Sequence, residues 1–443
     1  MDITLAGSYR RLVFGVAIAL SLLVTSPLTC ACSASDGPRW TSVKSHKVSP
    51  QNDKLLKRVE KAIEISKRRI LSGDVHTPWQ IMHGLLALRK GFEIRVDKKM
   101  VNAWDWIKTN PKFEGEHWFQ KTRNGGRAHP YNKPYAFEGH PNQFLAIMAV
   151  ADIPIDAKIQ TPKGAISLKD IVKNAQATVS AEEECAWTLW GLTHYIGSEA
   201  QWENKYGERW SIEKLAQVEL DQNFYEAACG GTHAIFGLSY ALNRHRKSGK
   251  RLRGVWLEVD QKVKKFIQLA KSNQNDDGSF SDDYFRSKKY TSDFETRLSS
   301  SGHVLEFLMV SLPNKRLKEK WVRRGVEAMA RDLIQFSDQS AECSALYHAL
   351  DSMVMYRERI QTQIVARKLA SQQKIARERQ LPQKHLRAEK PKLAQKTLLK
   401  KREVLPPVVA PRPIAGHRIT RSSTKSVTII AIEKAKVKRE DSP

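Results

Sequence analysis

A helix that is apolar on nearly every side constrains this fold most, because the rest of the protein must enclose it. Residues 228–245, ACGGTHAIFGLSYALNRH, contain such a helix, which opens with two glycines, a threonine and His233. Similar segments, each with a polar or glycine-bearing start, occur at residues 77–90, 139–152, 182–197, 300–312 and 340–356. Six such segments, spaced by roughly 40–70 residues, are typical of a repeat architecture.

An amphipathic segment precedes each enclosed one, at residues 53–71, 98–108, 168–179, 212–220, 255–272 and 317–335. The six pairs predict an all-α fold, an (α/α)6 toroid in which outer amphipathic helices surround an inner ring of enclosed helices. A two-layer helical solenoid is the alternative that the same alternation allows. No run of residues alternates apolar and polar with period two, so we expect little or no β-sheet.

Residues 1–35 are typical of an export signal. Arg10 and Arg11 precede an apolar run at 12–24 that is short for a membrane span, and small residues follow it. We therefore expect an exported protein, periplasmic or extracellular. A lipoprotein anchored to the membrane through Cys32 and an uncleaved membrane anchor are the alternatives. Residues 36–51 are predicted to be a linker and residues 52–357 the helical domain.

The charge is concentrated at the C-terminal end. The chain has a formal net charge of +27, and roughly half of the excess lies in residues 358–443. The folded part is therefore only moderately basic, and we expect no specific nucleic-acid partner. The tail begins with helical spacing and becomes rich in Lys, Pro and Val, which predicts disorder. The tail either binds an anionic cell-surface polymer or has no specific partner.

The remaining cysteines do not predict a disulfide framework. Cleavage of the signal leaves three of them, an odd number: Cys185, Cys229 and Cys343. Packing of the helices is therefore expected to hold the domain together.

Two long connections lead from amphipathic to enclosed helices, at residues 110–138 and 273–299. In a toroid both would lie on one rim, beside the N-termini of the inner helices. Long loops in a compact helical domain are more often functional than accidental. We therefore expect a site on this rim for a small molecule or a polysaccharide, with no cofactor identified.

Four histidines lie near the predicted starts of enclosed helices: His76, His140, His233 and His303. A neutral imidazole can act as a general base or bind a metal ion. His233 is the leading catalytic candidate, and His140, His303 and Glu184 are the others. Cys229 and Glu184 could join a metal site, but no spacing such as His-x-x-x-His supports one, and we assign no metal ligands. The alternative is that each histidine caps a helix or bonds to a loop carbonyl.

The two long loops supply the candidate substrate-binding residues: Trp118, Arg127, His129, Tyr131, Asp277, Tyr284 and Arg297. Aromatic and basic side chains together suit stacking on sugars and pairing with carboxylate or sulfate groups. The paired aspartates at 276–277 and 282–283 would suit glycoside hydrolysis or Ca²⁺ binding. Alternatively, Asp-Asp-Gly forms a turn, and the loops pack on their own aromatic side chains.

Residues 266–280 resemble the α/α-toroid superfamily of terpenoid cyclases and protein prenyltransferases. Phe266-Ile267 followed by NQNDDGSF is similar to that family's repeat, an apolar helix end, then Gln, then Asp-Gly-Ser-Trp, with Phe280 in place of Trp. The sequence GGTH at 230–233 also resembles the family. The resemblance covers about residues 50–357 and implies a toroid. It also implies that Gln274 caps a neighbouring helix and that Phe280 packs between helices.

The chemical signatures of that superfamily are absent. There is no Asp-x-Asp-Asp motif, Glu183-x-Cys185 only approaches the zinc-binding Asp-x-Cys, and Cys229-Gly230-Gly231 lacks the Gln of a thioester motif. The resemblance implies a fold and not a reaction. Three functions stay open: a diverged enzyme or ligand-binding protein of this superfamily, a polysaccharide lyase or glycoside hydrolase with His233 or His140 as base, and a non-catalytic recognition scaffold.

Overall fold

A computed structural model describes residues 54–130 and 135–380. The predicted signal segment, the linker and residues 381–443 of the basic tail lie outside the described residues. Twelve α-helices account for most of the described chain: α1 Lys54–Ser66, α2 Pro78–Leu88, α3 Ala103–Ile107, α4 Gln143–Val150, α5 Leu168–Thr178, α6 Ala186–Ile196, α7 Ile212–Asp221, α8 Thr232–Lys247, α9 Val255–Ser272, α10 Phe294–Ser311, α11 Lys320–Gln335 and α12 Cys343–Gln380. None of these helices is long and apolar enough to cross a membrane.

Ten strands of two to four residues form five separate antiparallel pairs: β1 Glu93–Val96 with β2 Lys99–Asn102, β3 Lys112–Phe113 with β4 Glu116–His117, β5 Phe119–Thr122 with β6 Gly125–Ala128, β7 Lys158–Ile159 with β8 Ile166–Ser167, and β9 Gln201–Glu203 with β10 Arg209–Ser211. The prediction of a mostly helical chain with little sheet is confirmed. Strands this short are below the length at which period-two alternation is recognisable.

Three of the strand pairs lead directly into an amphipathic helix. Their last residues are Asn102, Ser167 and Ser211, which cap α3, α5 and α7. Each side-chain oxygen accepts a hydrogen bond from the backbone N–H three residues later, at 3.1, 3.3 and 2.9 Å. These caps satisfy donors that have no partner within the helix.

The even-numbered helices are the enclosed ones, and two of their bounds extend well beyond the predicted ones. The helix predicted to begin at residue 300 begins at Phe294, because Asp293 caps it by accepting the Thr296 N–H at 2.8 Å. The second long loop is therefore shorter than predicted. Helix α12 continues to Gln380, so the predicted domain boundary at 357 falls inside a continuous helix whose Ile360 is still buried.

Consecutive enclosed helices pack against one another along the chain, from α2 through α12. The first and last helices also meet. Helix α1 packs on α11, where Arg58 pairs with Glu327. Helix α12 contacts the end of α2, where Arg89 Nη2 lies 2.6 Å from the buried Asp351 Oδ1. The first and last helix pairs are therefore in contact with each other.

Glycine residues allow the enclosed helices to approach closely. A Cβ atom at Gly237 of α8 would lie 2.7 Å from the Ala186 carbonyl oxygen at the start of α6. A Cβ atom at Gly302 of α10 would lie 2.7 Å from the Ala349 backbone nitrogen of α12. Both atoms belong to the backbone, so neither contact can be relieved by turning a side chain.

We expect Gly302→Ala to lower the free energy of unfolding by about 1–3 kcal/mol, because the added methyl group forces α10 and α12 apart. Gly91→Ala is the matched control, since nothing lies within 4 Å of a Cβ atom there. Urea unfolding followed by circular dichroism measures both. Equal stability of the two variants would contradict the close contact.

Candidate functional site

Five histidines from five different enclosed segments meet in the interior: His83, His140, His233, His303 and His348. The rings of His233 and its neighbours His140, His303 and His348 have centroids 4.9, 5.2 and 5.7 Å apart. His303 and His348 are 3.9 Å apart, and His83 is 5.3 Å from His348. We call these five residues the histidine cluster. The sixth enclosed helix, α6, contributes Trp187, whose ring centroid lies 5.0 Å from that of His233.

Four of these histidines are oriented through Nδ1. His83 bonds to the Trp79 carbonyl and His303 to the Ser299 carbonyl, each at 2.7 Å and each one turn earlier in its own helix. The other two bond to carboxyl groups of a neighbouring enclosed segment or helix. His140 Nδ1 lies 2.6 Å from Glu184 Oε2, and His348 Nδ1 lies 2.7 Å from Glu306 Oε2. Such bonds fix the orientation of a ring and leave Nε2 to face other groups.

His233 differs from the other four. Both of its ring nitrogens are buried, and neither has a hydrogen-bond partner among the residues that the structure describes. A neutral imidazole has one donor and one acceptor nitrogen, and each costs on the order of 1–3 kcal/mol when buried without a partner. A residue that costs this much stability in the folded protein is a candidate for function.

A small cavity adjoins His233. It is lined by three aromatic side chains, by histidines and by Glu306, with Trp187, Trp190 and Phe236 forming the apolar wall. The rings of Trp190 and Phe236 are stacked with centroids 3.9 Å apart. The cavity volume of about 10 Å³ is close to what one water molecule needs. In this conformation the cavity admits a water molecule or a single ion.

Burial keeps four of the five histidines neutral. Desolvation lowers the pKa of His83, His233 and His303 well below the ordinary value of 6.5, and repulsion by neighbouring histidines adds to this effect. The pKa of His348 is lowered to about 3 for the same reason. These imidazoles are therefore uncharged at neutral pH and can accept a proton or bind a cation.

The segment before His233 has an unusual backbone. Cys229, Gly230 and Gly231 have φ angles of 51°, 62° and 77°, and α8 begins without a side-chain cap. Glycine adopts this region readily, but Cys229 does so at a cost in energy. The bend brings Gly230 against the ring of Tyr284, where a Cβ atom would lie 2.4 Å from the ring. It also places the Cys229 thiol near the cluster.

Of the predicted catalytic candidates, His140, His233, His303 and Glu184 come together in the cluster. His76 does not, because its Nδ1 accepts the Ser72 N–H at 3.0 Å in a turn before α2. Sequence reasoning missed His83 and His348, which lie within enclosed helices rather than at their starts. A polar residue inside an otherwise apolar helix was the available signal, since buried polar groups require partners.

The predicted substrate-binding residues are dispersed. Trp118 is 1% exposed and packs edge-on against Trp106 in the core. His129 is buried against Phe137, and Arg127 lies on β6 and bonds to the Gln120 side chain. Tyr131 lies outside the described residues.

In the second loop, Tyr284 alone of the predicted residues adjoins the cluster, with its ring centroid 6.4 Å from that of His303. Arg297 is buried and paired with Asp332 at 2.7 Å and with Asp277 at 2.9 Å. Asp277 also accepts the Ser279 N–H at 2.9 Å, as in an Asx turn. Arg297 and Asp277 therefore hold the loop against α11 and do not face the cavity.

The turn at 274–280 ties two helices together. The Gln274 side chain donates to the Trp321 carbonyl at the start of α11, at 2.9 Å. Phe280 lies edge-on to the Trp321 ring, 6.4 Å between centroids, and packs where Gly325 leaves room for it. These contacts stabilise the junction between the two helices, and none of the side chains involved faces the cavity.

The cysteines do not cross-link the described chain, since Cys185, Cys229 and Cys343 are free thiols. No family model, curated protein or solved structure matches this chain.

We expect His233→Leu to raise the free energy of unfolding by about 1–3 kcal/mol, because it removes two buried nitrogens that have no partner. His348→Leu is the matched control and should lower stability by a similar amount, because Glu306 loses its bond to Nδ1. Urea unfolding at pH 7 measures both. Destabilisation of His233→Leu to the same extent as His348→Leu would show that His233 is structural.

Glu138 gives a pH prediction. Its Oε1 accepts the Phe144 N–H at 2.8 Å, and burial raises its pKa from 4.5 to about 8. Between pH 4.5 and 8 the Glu138 carboxyl group is therefore protonated in the folded chain and ionised in the unfolded chain. The stability that this bound proton contributes is lost as pH rises from 4.5 to 8. Glu138→Gln keeps the acceptor and removes the titration.

The difference in stability, variant minus wild type, should therefore rise by up to about 1.4 kcal/mol per pH unit within this window and stay flat outside it. Urea unfolding across pH 4.5 to 8 measures the difference. A difference that does not vary with pH would contradict a raised pKa for Glu138.

Proposed function

We propose that the helical domain is a closed (α/α)6 toroid of an exported protein, and that the histidine cluster is its functional centre, where a small molecule binds or reacts. The contacts of α1 with α11 and of α2 with α12 support closure, because an open solenoid would leave its first and last pairs apart. The contacts of Gln274 and Phe280 support the resemblance to the terpenoid cyclase and prenyltransferase superfamily, whose catalytic motifs are absent.

One observation carries the functional part of the proposal. Five of the six enclosed segments contribute a histidine to the cluster, and the sixth contributes the adjoining Trp187. His233 at the centre has no partner for either nitrogen among the described residues. Buried polar groups without a partner are rare in native proteins, and each calls for an explanation such as a catalytic role or a bound ion. Imidazoles beside the carboxyl groups of Glu184 and Glu306 suit acid–base chemistry, because one group can accept a proton while its partner holds the ring in place.

The surroundings favour a small, largely apolar ligand over a polymer. Two tryptophans and a phenylalanine form the cavity wall, and the cavity is enclosed rather than a groove. A polysaccharide lyase or glycoside hydrolase would need free cationic and aromatic groups along a cleft. Arg297 is paired with two aspartates, and Trp118 is in the core. That alternative therefore has less support.

A purely structural scaffold is also less supported. In a scaffold the histidines would all be bonded to backbone or to capping groups. Two of the five are bonded to carboxyl groups instead, and His233 is bonded to nothing among the described residues.

Thermal unfolding of the purified chain with two probes tests the proposal: farnesol, an isoprenoid alcohol, and tetragalacturonate, a uronate oligosaccharide. Farnesol can bind only if the cavity widens beyond its present volume of about 10 Å³. We expect it to do so, and to raise Tm in the wild type and not in His233→Leu. His76→Ala, a histidine variant outside the cluster, is the control and should keep the response. A response to tetragalacturonate alone would support the polysaccharide alternative. No response to either probe, or an unchanged response in His233→Leu, would contradict the proposal.

A further inference from the structure

The two ring nitrogens of His233 are in an environment typical of metal ligands. A ligating imidazole needs a lone pair that no hydrogen bond occupies, together with neighbours that supply further donors. Both nitrogens of His233 are buried without a partner among the described residues.

His140 and Glu184 complete a set of three ligands. One ligand atom from each of His140, Glu184 and His233 lies within 4.8 Å of the others. Ions of the Zn²⁺ class bind imidazole and carboxylate at about 2.0–2.2 Å, so two ligands on one ion lie about 3–4 Å apart. Small side-chain rotations therefore suffice. The ion would replace the hydrogen-bonded proton that now lies between His140 and Glu184, 2.6 Å apart.

We propose that His140, Glu184 and His233 bind one divalent transition-metal ion of the Zn²⁺ class, with an open position towards the cavity. Two imidazoles and one carboxylate are a donor set that such ions accept. This inference deepens the proposed function, since it names an ion as the ligand of the same cluster. An ion with an open position would bind and polarise a water molecule or a substrate oxygen.

A second set of donors shares His233. The ligand atoms of Cys229, His233 and His303 also lie within 4.8 Å of one another. One observation favours the set with Glu184. All three of its residues are partly exposed, with the side chains of His140 and Glu184 18% and 34% exposed, which gives an ion a path from solvent, whereas His303 of the other set is buried.

The test is titration of the tag-free, chelator-treated chain with Co²⁺, followed by visible absorption, and with Zn²⁺, followed by calorimetry. We expect one equivalent of each ion to bind. Glu184→Gln and His233→Leu should weaken binding by more than about tenfold. Cys229→Ser and His76→Ala should bind as the wild type does, and the Co²⁺ spectrum should show no thiolate charge-transfer band. Circular dichroism confirms that each variant is folded.

The outcomes separate this inference from the proposed function. Absence of Co²⁺ and Zn²⁺ binding would overturn the metal site, while a farnesol response that depends on His233 would leave the proposed function intact. Binding that is lost in Cys229→Ser but kept in Glu184→Gln would overturn the ligand set. Stoichiometric binding that depends on both Glu184 and His233 would support the site even if neither organic probe binds.

Discussion

The close approach of the enclosed helices is the constraint on which the rest of this structure depends. Backbone lies against backbone where Gly237 of α8 meets Ala186 and where Gly302 of α10 meets Ala349. At this separation a side chain that projects from one helix reaches those of the next two, so histidines on successive helices come within 4–6 Å of each other. Wider spacing would leave the same residues isolated, each in contact with its own helix alone.

The five histidines have different roles because they differ in their hydrogen bonds. Each ring that bonds to a carbonyl or carboxyl group through Nδ1 is held in one orientation, and burial keeps His83, His303 and His348 neutral. His233 lacks such a bond and therefore reduces stability where it lies. Natural proteins retain costly groups of this kind mainly at functional sites. The same reasoning indicates a structural role for Arg297, because its charge is paired with both Asp332 and Asp277.

The alternation of helices could be predicted from sequence because an enclosed helix has no polar face, as residues 228–245 illustrate. The convergence of His140, His233 and His303 with Glu184 could be anticipated from their positions near helix starts. The contact of His83 with His348 could not, since both residues lie within enclosed helices rather than near the helix starts. The burial of Trp118 and Arg297 could not be predicted either, because the sequence of a loop that folds back onto the helices looks like that of an exposed loop.

The distance between the first and last amphipathic helices tests the closed arrangement most directly. Lys57 of α1 and Gln335 of α11 are both exposed and flank the same surface groove. Spin labels introduced at these two positions as unnatural amino acids report their separation by pulsed electron paramagnetic resonance. Neighbouring helices lie about 8–10 Å apart, so a closed ring predicts a separation below about 25 Å including the label arms. An open row of six pairs would place the labels about 40–50 Å apart, which would contradict the account.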